Sequence, residues 1–326
     1  MITRRTTIAT GMAAAALGTH GARAQPPTPS LGPIRAVTTT TGRDLGAVEA
    51  AYARYLGYRV VQRGRVPAET ARLWGAPAAA GRSLLVMAPQ AGEPTLLRFV
   101  QQPQPPGYRP MTTFGWNSTE IIVQDPDALE QRLLKSPFHI VGRPNFLSSS
   151  SEIRAMQAIG PGGEMLYLTA VVKPLPPERD MPKAEAFVGR CFIAVLGGPD
   201  IKTMSDYYLK TFGRVTSPPF NVPISTLSVQ NRLPPGTRYD LAVVQLGGGT
   251  KLELDHYPPG AGPRPRQAGG LPPGMAMVSF ECRDFDRYVG MMAGPPKPSK
   301  LAGPLKGRRT GVLTGAVGEL IELVEA

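Results

Sequence analysis

The feature that most constrains this chain is a helix signature that occurs twice. Asp44, Tyr52 and Gly57 recur at the same spacing as Asp200, Tyr208 and Gly213. An Asp ahead of a helical run can accept hydrogen bonds from its first free amides, and a Gly behind it can take the left-handed conformation that ends the run. Each copy therefore predicts a capped helix. A strand-like run precedes each one, Ile34 to Thr41 in the first and Cys191 to Leu196 in the second. Repeats of this kind dictate architecture before any single residue does.

Strand-like runs follow both helices. After the first come Arg59 to Val66, Ser83 to Met87 and Thr95 to Gln101, with a helical turn at Glu69 to Trp74. After the second come Arg214 to Ser217, Ser225 to Gln230, Leu241 to Gln245 and Lys251 to Tyr257. Each half then continues into another unit. Ser118 to Val123, a helix over Ala128 to Lys135 and a strand over Met165 to Val171 form one; Met277 to Cys282, a helix near Phe285 and a strand from Glu319 form the other. The closing stretch Glu319 to Val324 alternates with period two, so Leu320, Glu322 and Val324 share a face that sets one carboxylate among apolar neighbours. Gly249 to Leu254 repeats that pattern around Glu253, and Gly247 to Gly249 reads as a hairpin turn.

Four strand-helix-strand-strand-strand units, with the Asp-Tyr-Gly helix and the Gly-x-x-x-Glu-Leu closing strand, resemble the vicinal oxygen chelate superfamily, which includes glyoxalase I, extradiol dioxygenases and bleomycin-resistance proteins. The resemblance implies an α+β fold of two domains, 34–172 and 189–326, joined by a linker over 173–188. Each domain would pair two units into a half-open barrel. The superfamily's metal ligands are typically a His on a unit's first strand and a Glu on its last. Carried over to this chain, the first-strand positions are Ala36 or Val37, Ser118 or Thr119, Phe192 or Ile193, and Met277; the last-strand positions are Arg98, Tyr167, Glu253 and Glu322.

No histidine stands at any of these positions, and two carboxylates alone suit zinc, iron or nickel poorly. No metal or other cofactor is therefore expected; a divalent ion, if bound, would fall to Glu253 and Glu322, with Asp255 and water assisting. Arg98 has two readings, a planar fork for a carboxylate or phosphate and a stem laid over apolar surface. Tyr167 would add a hydroxyl. Alternation places His256 on the face opposite Glu253 and Asp255, at the rim.

Residues 1–24 read as an export signal. Arg4 and Arg5 precede an Ala-rich run, and Ala22-Arg23-Ala24 offers a cleavage site; a twin-arginine route is expected, with a general secretory route as the alternative, and a periplasmic or secreted mature protein. A Pro-rich linker over 25–33 should follow. Removing Arg4, Arg5 and Arg23 takes the formal charge from +12 to +9, but the remaining basic residues are scattered without a nucleic-acid motif, and no stretch is apolar enough to span a bilayer. The basic run from Lys300 to Arg309 reads as a solvated loop. Cys191 and Cys282, the two cysteines, read as buried thiols in interior strands, although export would permit a bridge. P-loop, dinucleotide and Gly-x-Ser-x-Gly patterns are absent from the sequence.

These readings converge on an exported protein that acts on a small oxygenated molecule. Lyase or isomerase chemistry is expected, with Glu253 or Glu322 as general base and Arg98, Tyr167 and Asp255 as substrate contacts. The alternative is a non-catalytic binder of the bleomycin-resistance type.

Overall fold

The computed structural model describes residues 28–92, 95–147, 151–176 and 181–326, so the expected export segment lies outside the described residues. The first module comprises β1 (Leu31–Thr41), α1 (Leu45–Ala51) with a π turn over Tyr52–Leu56, β2 (Arg59–Arg65), α2 (Ala68–Leu73), β3 (Ser83–Ala88) and β4 (Leu96–Gln101). The second holds β5 (Gly115–Val123), α3 (Pro126–Leu133), β6 (His139–Phe146), β7 (Ile153–Ile159) and β8 (Met165–Val171). In the third are β9 (Val188–Gly198), α4 (Ile201–Phe212), β10 (Phe220–Pro223), α5 (Ser225–Gln230), β11 (Arg238–Gly247) and β12 (Thr250–His256). The fourth has β13 (Gly274–Cys282), a 3-10 stretch over Phe285–Met291, β14 (Lys297–Pro298), β15 (Arg309–Thr314) and β16 (Leu320–Glu325).

The repeated signature does what its chemistry requires. Asp44 Oδ2 accepts from the amide of Ala47 at 2.9 Å and Asp200 Oδ1 from that of Thr203 at 2.7 Å. Gly57 and Gly213 close the two helices with φ of 73° and 67°. Two elements of the third module depart from expectation: Arg214 to Ser217 forms only an isolated bridge at Thr216, with β10 further along, and Ser225–Gln230 is a helix, not a strand. It follows β10 as α2 follows β2, so the repeat itself carried the signal. Leu227 anchors it, fully buried.

Two eight-stranded sheets result, and they do not pair the modules as neighbours in sequence. One runs β14-β15-β16-β13-β1-β4-β3-β2, the other β10-β11-β12-β9-β5-β8-β7-β6. The first and fourth modules thus share a terminal sheet, and the second and third a central sheet. Antiparallel pairing of β1 with β13 and of β5 with β9 makes each join. The segment 173–188 therefore connects the two modules of the central sheet, and the halves 34–172 and 189–326 each contribute one module to both sheets. β1 also begins inside the stretch expected as a linker, with Leu31 buried.

Each strand splits its side chains between two environments. One face packs sheet against sheet: Val37, Phe280 and Ile321 from the terminal sheet meet Ile121, Ala194 and Leu254 from the central one in a single core. Trp116 crosses it, donating from Nε1 to the carbonyl of Leu320 at 2.7 Å. The other faces line two separate interiors. The terminal interior is filled: Trp74 at the end of α2 joins Leu301 and Leu305, which fall within the Lys300 to Arg309 run. That run is thus a plug as well as a charged surface, with Lys300 paired to Glu69 outside. Cys191 and Cys282 are both buried free thiols.

The tyrosine of the signature has a buried partner in both copies. Tyr52 donates to Glu164 at 2.6 Å and Tyr208 to Glu319 at 3.3 Å, so each helix is tied to the turn before the last strand of the following module. Those turns need glycine, because a Cβ on Gly160 would lie 1.8 Å from Glu164 Oε1 and one on Gly315 1.9 Å from Glu319 Oε1. Burial pushes both carboxyls up to about 7 against the pull of their tyrosine and backbone bonds. A carboxyl raised in the native state stabilises most below its unfolded pKa, and that contribution is lost as pH rises through the folded value. Each group should cost about 3 kcal/mol between pH 4.5 and pH 8. Glu164→Gln keeps the acceptor for Tyr52 and removes the titration. Its Tm should fall less between pH 5 and pH 8 than that of the wild type, as followed by circular dichroism.

Candidate functional site

Strand register places corresponding side chains of the two sheets at corresponding points. In the terminal sheet Glu322 pairs with Ser279 and Arg98 with Thr38. In the central sheet Glu253 pairs with Val195 and Tyr167 with Glu120. Glu253 is thus the counterpart of Glu322, Tyr167 of Arg98, Val195 of Ser279 and Glu120 of Thr38. The first-strand residues that meet the last-strand positions are Thr38, Glu120, Val195 and Ser279, one or two places from those expected. None is a histidine. Because the modules pair first with fourth, Glu253 and Glu322 do not face each other but lie on different sheets.

In the terminal interior the expected ligand contact and the expected base neutralise each other. Arg98 Nη1 donates to Glu322 Oε2 at 2.7 Å, with the side chains 1% and 3% exposed. Trp74 Nε1 donates to Glu322 Oε1 at 3.0 Å, and Ser279 donates to Oε2. Burial alone would raise the Glu322 carboxyl, but the Arg98 charge and the bonds from Ser279, Arg98 and Trp74 outweigh it and hold the group below its ordinary value. Arg98 Nη1 thus binds a carboxylate of its own chain, while Nε and Nη2 are buried without a hydrogen-bond partner among the described residues.

The central interior keeps the carboxylate and drops its donors. Where Glu322 has Ser279 and Arg98, Glu253 has Val195 and Tyr167. The Tyr167 hydroxyl is itself engaged, 2.7 Å from Thr226 Oγ1 on α5. Burial, the charges of Asp255 and Glu120 and a bond shared with Asp255 push Glu253 well above the ordinary carboxylate range. Burial pushes Asp255 up too. Glu120 rises to about 7 through burial, which the Thr169 hydroxyl at 2.6 Å and the charge of Lys251 oppose. Two carboxylates at one point of a duplicated lattice thus titrate in opposite directions, for reasons visible in their neighbours.

Glu253 and Tyr167 are half-buried and reach the open side of the sheet, whereas Asp255 is fully buried. Asp255, Glu253 and Tyr257 alternate onto one face of the chain, and His256 points away and is exposed. Glu120 is the site residue that sequence reasoning missed. Its signal was the run Ser118 to Val123, where a charged residue sits mid-strand in a fully buried segment. Surface clefts of about 470 Å³, beside Arg65, Arg82 and Gln101, and of about 600 Å³, beside Cys282 and Arg287, include none of these residues.

The donor set does not fit the metal centre that the resemblance implies. A guanidinium occupies the terminal interior, the central one offers no imidazole, and among the described residues no three His, Cys, Asp or Glu side chains are arranged to hold an ion. Among the described residues no helix is long and apolar enough to cross a membrane.

No family model and no curated protein matches the sequence. Solved structures do match its fold. A variant of maize glyoxalase I superposes with a TM-score of 0.59 at 15% identity, covering 90% of this chain and 93% of that one. Glyoxalase I from maize itself gives 0.55 at 15% identity over 90% and 92%. A Bacillus subtilis protein assigned as a dioxygenase gives 0.59 at 14% identity over 91% and 86%. The chain therefore shares the paired-module α+β fold of maize glyoxalase I.

The ion pair yields a stability prediction. Arg98→Met leaves a buried carboxylate with two neutral donors and should cost about 3–5 kcal/mol in urea unfolding. Converting Glu322 to Met as well should recover most of that loss, because the pair's desolvation cost then disappears with its attraction.

Proposed function

We propose that this protein, built on the fold it shares with glyoxalase I, takes a small oxygenated molecule on the open face of its central sheet. There it moves a proton in a lyase or isomerase reaction that uses no His-Glu metal centre. The observation that carries this reading is the contrast between Glu322, neutralised by its own chain, and Glu253, which has lost the equivalent donors. Glu253, pushed well above the ordinary carboxylate range by burial and the neighbouring acids, is suited to donate to a substrate oxygen. Glu120, with its pKa about 7, is suited to accept a proton from carbon. Two carboxyls held apart in pKa by their surroundings divide acid and base roles between them. Tyr167 and Asp255 would orient the substrate. The expected general base Glu322 takes no part in this scheme, and Arg98 acts as its structural partner.

A second reading, sequestration without chemistry, is favoured by the lack of imidazole at all four first-strand positions. Export through the twin-arginine route, with work in the periplasm or outside the cell, belongs to the same proposal and rests on Arg4, Arg5 and the Ala22-Arg23-Ala24 site.

Deuterium wash-in at the carbon beside the carbonyl of hydroxyacetone, followed by proton NMR in D2O, tests the catalytic reading. The wild type should accelerate exchange, with a rate that falls as pH drops below about 7 and Glu120 becomes protonated. Glu120→Gln and Glu253→Gln should each slow exchange by about a hundredfold or more. Saturable binding without exchange would establish sequestration instead.

A further inference from the structure

The same face poses a question of hydrogen bonding that proton transfer does not answer. Asp255 is 0% exposed, and apart from the bond it shares with Glu253 neither carboxylate oxygen has a hydrogen-bond donor among the described residues. Glu120 is answered by Thr169 and sits in the row of Lys251, across Ile193. Asp255 has Glu253 beside it, another acid. A buried carboxylate accepts only, and leaving it short of donors is among the costlier arrangements in a folded chain.

Independent groups point to the same place. Tyr257 is 2% exposed with no partner for its hydroxyl among the described residues. It alternates onto the face of Asp255, and its ring lies over Gly197, the residue paired with Asp255. The Ser118 hydroxyl is likewise buried and without a partner there, in the row of Glu253 across Val195. The surrounding wall is aromatic and soft: Tyr239 and Tyr257 pack with Met111, Met165 and Leu227, and Tyr167 rests against them. Arg264 is occupied with Thr113, Asn117 and the carbonyl of Met275.

Resting on the small-molecule reading above, we propose that the ligand of the central sheet carries a protonated amine, which Asp255 and Glu253 hold while the tyrosine faces cover its apolar part. An alkylammonium brings three N–H donors, enough for both acids and one hydroxyl oxygen. Ring faces attract a cation once water is excluded. A neutral alcohol brings one donor and no charge, and an anion meets like charge.

Titration calorimetry on the full chain tests the class with four probes: benzylammonium, benzyl alcohol, benzoate and manganese chloride. Benzylammonium should bind saturably and at least about tenfold more tightly than the alcohol, the margin of a charge-assisted over a neutral hydrogen bond. Benzoate and manganese alone should not bind. Asp255→Asn, which keeps the shape, should weaken benzylammonium about tenfold and leave the alcohol unchanged; Glu253→Gln serves as the second variant where the first does not fold. Alcohol or benzoate binding as tightly as the amine overturns the amine class and leaves the small-molecule reading standing. Manganese binding in place of the amine, or amine binding indifferent to both substitutions, also overturns it. Failure of all four probes overturns the amine class, and the hydroxyacetone exchange assay decides the small-molecule reading separately.

Discussion

The antiparallel pairing of β1 with β13 joins the two ends of the chain into one sheet, and everything said of the sites depends on it. Had each half closed on itself, Arg98 would face Tyr167 and Glu253 would face Glu322. With the ends joined, Arg98 meets Glu322, and Tyr167 meets Glu253. The first arrangement would leave a buried guanidinium with a phenol and two buried acids together. The second satisfies one charge with another, with Arg98 Nε and Nη2 and Thr38 Oγ1 still buried without a partner among the described residues.

Duplication gave the molecule two equivalent interiors, which then took different courses. In the terminal sheet Trp74, Leu301 and Leu305 fill the space, and an internal cation stands against the last-strand acid. That interior serves as a second core. In the central sheet Val195 and Tyr167 replace the donors, and a third acid arrives at Asp255, where the terminal sheet has Val324. A protein keeps a costly buried polar group where something other than stability requires it.

Much of this could be read from the residues. The Asp-Tyr-Gly helix and the Glu-bearing closing strand both follow local rules, capping chemistry and period-two alternation, and both stand as expected. The fate of Arg98 was not legible, because it depends on which module lies alongside, and pairing across 224 residues leaves no local trace. The helix at Ser225–Gln230 looked like a strand because its β-branched residues favour one; only comparison with α2 reveals it. Glu120 carries no local mark of its place, because the register of β5 on β8 decides which first-strand residue lies beside Tyr167.

Joining the chain ends also orders how the molecule can assemble. β5 to β12 lie consecutively, so the central sheet holds all its strands once residue 256 has emerged from the ribosome. β1 must wait for β13, some 240 residues behind it, and until then its edge stays unpaired. Long-range pairing of this kind is slow to form and open to association with other chains meanwhile. Loss of the last module would therefore cost more than a quarter of the structure, because it would leave the first module with half a sheet and the β1 edge unpaired.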